Sequence, residues 1–86
     1  MYSVIIERPA LKALAAIPDK DAKKITKAID ELAENSRPNG VKKLKGKGEF
    51  YRIKVGNYRV IYEINDGELV IVVVEIGHRK EVYKDF

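Results

Sequence analysis

The chain has 86 residues, a formal net charge of +4 and no cysteine. That length is enough for one domain over residues 1–86 with a modest core, so most of any function must sit at the surface. The lack of thiols excludes disulfides and thiolate zinc ligands and fits a reducing cytosol; no stretch has the length or apolarity of a membrane span or of a cleaved export signal, so a soluble, cytoplasmic protein is expected.

In chain order, Tyr2 to Glu7 reads as a short strand, and Pro9 stands where a helix can begin. Ala10, Leu11, Leu14 and Ala15 recur at helical spacing until Pro18 and Asp19 interrupt them. A second helix starts near Asp19 or Asp21, either of which could cap it, and carries the apolar stripe Ala22, Ile25, Ala28, Ile29, Leu32 and Ala33. It ends near Asn35, where Asn-Ser-Arg-Pro-Asn-Gly marks a loop. Val41 to Glu49 is a basic loop or edge segment, followed by strands at 50–55, 58–64 and 68–76. Leu69 to Val74 is apolar at every position, so that strand is expected to be central and covered on both faces. Lys80 to Phe86 would form a short final strand or turn. The fold class is α+β: an N-terminal strand, a helical hairpin, then a mostly antiparallel sheet of three to four strands packed on the helices.

Gly56-Asn57 is a two-residue turn signal between two alternating runs, a register that pairs Val55 with Tyr58 and Lys54 with Arg59. Alternation then puts Arg52, Lys54 and Arg59 on one face and Tyr51, Ile53, Val55, Tyr58, Val60 and Tyr62 on the other. The tyrosines share their face with Ile53 and Val60, which argues for core packing over base stacking. Like charges directly opposite on a sheet cost roughly 0.2–1 kcal/mol, a cost that an anionic ligand would relieve.

Residues 42–59 hold seven Lys/Arg against one acid, Glu49, a local charge of +6 on a remainder of −2. Such a basic segment is a footprint for a polyanion, and it lacks the amphipathic helix that would favour a membrane. Arg52, Lys54 and Arg59 are the candidate phosphate clamp, set against an ordinary solvated face balanced by Glu49 and Glu63. Lys42, Lys43, Lys45 and Lys47 are candidate nucleic-acid contacts, set against a plain solvated run. Near the end of the chain, Arg79 and Tyr83 add a further cation and a phenol. His78, the only histidine, is a second-tier catalytic candidate, since one histidine cannot serve as both acid and base. No His, Asp and Glu cluster has ligand spacing, so no metal is expected, and no phosphate-binding glycine loop or nucleophile elbow is present.

At these residues the chain resembles the RelE branch of the RelE/ParE toxin superfamily. The likeness covers nearly the whole length: strand, helical hairpin, Lys-Leu-Lys-Gly before the sheet, Tyr-Arg-Ile-Lys, Asn-Tyr-Arg-Val-Ile-Tyr, and Gly-His-Arg-Lys-Glu-Val-Tyr near the end. The resemblance implies a toxin that enters the ribosomal A site and cuts mRNA there, with its catalytic cluster at Arg52, Lys54, Arg59, Arg79 and Tyr83 and no cofactor. The implied reaction is attack of a ribose 2′-hydroxyl on the adjacent phosphate, leaving a 2′,3′-cyclic phosphate and a 5′-hydroxyl. Tyr83 is then the base or an orienting group, and Lys54 the acid or an electrostatic stabiliser. Arg52 stands where family members carry Lys, and a guanidinium holds phosphate but does not exchange protons. A RelB-like antitoxin is the implied partner, the toxin alone being a monomer and the complex a hetero-oligomer. The competing functions are a ParE-like inhibitor of DNA gyrase and a non-catalytic RNA- or ribosome-binding module.

Overall fold

The computed structural model describes residues 1–44 and 49–78. In chain order the elements are β1 (Ser3–Ile6), α1 (Arg8–Ala16), α2 (Asp19–Leu32), β2 (Lys42–Lys43), β3 (Phe50–Val55), β4 (Tyr58–Asn65) and β5 (Val70–His78). The strands form one sheet in the order β1-β5-β4-β3-β2. β1 runs parallel to β5, and the other pairs are antiparallel. Within the expected basic loop or edge segment, β2 covers Lys42 and Lys43.

Pro9 occupies the first turn of α1, and Ile17 is extended at φ −83° and ψ 140° ahead of Pro18, as a residue preceding proline must be. Pro18 itself holds the cap position of α2. Asp19 and Asp21 therefore lie in the first turn, where their charge meets the positive helix end, and neither caps the helix through its side chain. A helix of 14 residues is marginal on its own. Ile25, Ile29 and Leu32 are its buried stripe, each contributing about 1.5–3 kcal/mol on burial. With Ala10 of α1 they cover one sheet face, made of Tyr51, Ile53, Val60, Tyr62, Ile64, Ile71, Val73 and Ile76. The tyrosines Tyr51 and Tyr62 are core residues, and Tyr58 is partly buried against them.

The β3–β4 hairpin has the expected register, Val55 opposite Tyr58 and Lys54 opposite Arg59. Gly56 takes φ +61° and Asn57 stays outside the positive-φ region, the pattern of a type II′ turn, whose twist matches that of the strands. β5 departs from its sequence pattern in two ways. Leu69 adopts φ +56° in the preceding turn, so the strand starts at Val70. The ladder with β4 also shifts between Ile61 and Tyr62: Tyr62 faces Val73 but Ile61 faces Glu75, leaving Val74 as the extra residue of a β-bulge. Ile71, Val73 and Ile76 are buried, whereas Val70, Val72 and Val74 are only half-buried. The apolar run is thus fully covered on the helix side alone, contrary to the expectation of two covered faces.

Polar contacts fasten the loop after α2 to this core. The Tyr62 hydroxyl donates to the Ser36 carbonyl at 2.8 Å, and burial pushes its phenol above the ordinary value. Arg37 meets Asp66 at 3.0 Å, donates from Nε to the Tyr51 hydroxyl at 3.3 Å, and lies 5.1 Å from the Tyr51 ring centre. Tyr51 in turn donates to Glu49 at 2.8 Å, and Tyr2 donates to Asp66. Tyr51, then Lys43, holds the Glu49 carboxyl below its usual range; Arg37, then Tyr2, does the same for Asp66.

Candidate RNA-cleaving face

The sheet face turned away from the helices gathers the basic side chains in two rows that follow from the strand registers. Lys42, Arg52, Ile61 and Glu75 lie side by side across β2, β3, β4 and β5. The next row is Lys54, Arg59 and Gly77. Two pairs of like charges, Lys42 with Arg52 and Lys54 with Arg59, are therefore direct cross-strand partners, an arrangement that costs stability unless an anion joins it.

Arg52 is only 7% exposed, and its Nε is buried without a hydrogen-bond partner among the described residues. A buried polar atom left unpaired costs about 1–3 kcal/mol, so this guanidinium is held at the expense of the fold. Lys54 is exposed and Arg59 half-buried, with Arg59 Nη1 donating to the Tyr58 carbonyl at 3.3 Å. Ile61, between Arg52 and Glu75, is fully buried. Lys42 is exposed on the same face; Lys43 falls on the opposite parity and meets Glu49 at 3.5 Å. Arg79 and Tyr83, and with them Lys45 and Lys47 and the expected final strand or turn at Lys80 to Phe86, lie outside the described residues.

The bulge at Val74 decides which β5 side chains reach the cations. Straight alternation from Ile71 and Val73 would turn Glu75 toward the helices and His78 toward the cations. The extra residue reverses both. Glu75 joins the cationic face, while His78 pairs with Tyr58 on the helix side, the two rings 6.0 Å apart and nearly perpendicular. There His78 lines a cleft of about 320 Å³ with Ala13, Ala16, Ile17 and Pro18. The structure therefore does not bring the second-tier candidate His78 to Arg52, Lys54 and Arg59. Glu75 was missed in the sequence because it follows an unbroken apolar run.

Among the described residues no three His, Asp or Glu side chains converge as a metal site. The face offers cations for a phosphate, with Glu75 in the row of Arg52 and Glu63 farther along β4. The family model for the ParE toxin of type II toxin-antitoxin systems matches residues 4–83. The chain belongs to the RelE/ParE toxin family. This toxin is 33% identical over 87 residues to the toxin RelE3 of Methanocaldococcus jannaschii, covering 96% of this chain and 97% of the relative. RelE in the archaeal RelE-RelB complex from Pyrococcus horikoshii superposes with a TM-score of 0.82 at 31% identity, over 94% of this chain and 98% of that one. The intact RelBE toxin-antitoxin complex from E. coli gives 0.80 at 26% identity, over 91% and 96%. The α+β fold with its five-stranded sheet is that of RelE structures.

Proposed function

We propose that this toxin is a ribosome-dependent, metal-free endoribonuclease that cuts mRNA in the A site and so stops translation. The observation that carries the reading is the two like-charged cross-strand pairs, Lys42 with Arg52 and Lys54 with Arg59, in which Arg52 is buried with an Nε that has no hydrogen-bond partner among the described residues: the fold maintains a cationic surface at its own cost, which a scissile phosphate would neutralise. Lys54 and Arg59 are the cations nearest the hairpin tip, and Arg59 is suited to bidentate phosphate binding. Arg52 supplies charge from below the surface. Arg79 as a second clamp and Tyr83 as base or orienting group enter on the family resemblance. The 2′-oxygen bonds to phosphorus, the bond to the 5′-oxygen breaks, and the cations hold the charge that builds on the phosphorane. Lys42, with Lys43, Lys45 and Lys47, would contact ribosomal RNA or mRNA.

Both relatives named in complex above were solved with an antitoxin, and a RelB-like antitoxin is the partner we propose here, forming a hetero-oligomer that masks the cationic face. Purified toxin should leave free RNA intact and cut mRNA on translating ribosomes. Arg59→Ala, Arg79→Ala and Tyr83→Phe should each relieve growth inhibition while the melting temperature stays within a few degrees of the parent. The matching family model carries the ParE name, so the second reading is inhibition of DNA gyrase. Intact message on ribosomes together with inhibited supercoiling would select it.

A further inference from the structure

We infer that Glu75 is the general base of the cleavage, taking the proton from the ribose 2′-hydroxyl; the inference rests on the nuclease reading and adds a proton acceptor to it. Transesterification at neutral pH needs such an acceptor. Protonated arginine and lysine can donate a proton but not accept one, and a phenol of ordinary pKa near 10 is ionised in only about one molecule in a thousand at pH 7. His78 points to the opposite side of the sheet, against Tyr58. A carboxylate has oxygens that can accept the proton.

Placement makes Glu75 the carboxylate that meets the phosphate site. Through the bulge it sits opposite Ile61 in the row of Arg52, and diagonally from Arg59. Diagonal cross-strand neighbours are about 7–8 Å apart at their Cα atoms, a gap that two long side chains can close onto one phosphodiester. Glu63 shares the face but stands four residues from Arg59 along β4, roughly 13 Å at the rise of a strand. Directly opposite Arg59, Gly77 has no side chain to occupy the space between them. Among the described residues, the charged groups on the same face as Glu75 are Arg59 and Glu63 of β4, Arg52 and Lys54 of β3 and Lys42 of β2, and β1 places Ser3 and Ile5 on this side.

In the proposed step the Glu75 carboxylate accepts the 2′-hydroxyl proton as the 2′-oxygen bonds to phosphorus. The bond from phosphorus to the 5′-oxygen breaks, and that oxygen takes a proton from Lys54. The products are the 2′,3′-cyclic phosphate and a 5′-hydroxyl, with the two side chains one proton exchanged.

The test is single-turnover cutting of mRNA on programmed ribosomes by the whole toxin, from about pH 6 to 8.5, with ribosome binding followed by pelleting. Glu75→Gln should slow cutting by about 10²–10⁴-fold with binding retained, and Glu75→Asp should recover part of the loss. The parent rate should stay nearly flat over this range, in contrast to the rise with pH that a phenol base would give. Glu75→Gln cutting within about threefold of the parent overturns the proposal, as does a parent rate that rises tenfold per pH unit, the signature of a phenol base. Should Glu75→Gln fail to fold, the parent pH slope and Glu75→Asp decide. A parent protein that leaves the message whole overturns the nuclease reading itself, an outcome distinct from an active Glu75→Gln.

Discussion

Arg52 shows how one residue can work against the fold that holds it. At 7% exposure, its charge is retained with a buried Nε that finds no partner among the described residues. Arg52→Met, which keeps length and loses charge, should raise unfolding stability by about 1–3 kcal/mol in denaturant melts while lowering mRNA cutting. A loss of stability would mean that the guanidinium is satisfied in solution. Tyr62 is the opposite case, a buried phenol whose hydroxyl is paired with the Ser36 carbonyl. Tyr62→Phe strands that carbonyl and should cost about 1–2 kcal/mol. Because burial raises the Tyr62 pKa, its contribution is complete below the unfolded-state value near 10 and is lost as pH climbs above it. The parent should therefore lose more stability between about pH 9 and 11 than Tyr62→Phe does, as read by denaturation at each pH.

At the scale of elements, the bulge in β5 matters more than any single contact. It adds one residue to the strand, and the side chains beyond it exchange faces relative to plain alternation. Ile76 is 3% exposed as a result, while Val74 is only half-buried. Ile76→Ala should cost about 2–4 kcal/mol and Val74→Ala no more than about 1, measured in urea melts. Equal costs would place the bulge elsewhere. The elements themselves were readable because their signals are local: Pro9 and Pro18 bracket α1, the apolar stripe runs along α2, and Gly56-Asn57 sets a two-residue turn that leaves one register available. Two local readings failed for a local reason. Pro18 took the cap position that Asp19 or Asp21 would have filled, and a left-handed Leu69 delayed the start of β5.

For the whole molecule, the sheet order puts the N-terminal strand beside β5, with Ser3 opposite Val70 and Ile6 opposite Val73. That parallel pairing makes β5 an interior strand, while α1 and α2 cover the helix-facing side of the sheet. Lys42, Arg52, Lys54 and Arg59 of the charged segment form two rows on the other side. Arg52, Lys54 and Arg59 were legible in the sequence as one face because alternation and a tight turn fix side-chain parity without reference to the rest of the chain. Lys42 joined them only through the pairing of β2 with β3. Glu75 entered, and His78 left, through an irregular pairing between β4 and β5 that no run of residues announces by itself. The sequence alone determined the α+β class, the core tyrosines and the cationic hairpin, since each follows from periodicity within a single segment. The depth of Arg52 and the faces of Glu75 and His78 were decided only by the tertiary structure, because burial and register depend on what neighbouring strands place alongside.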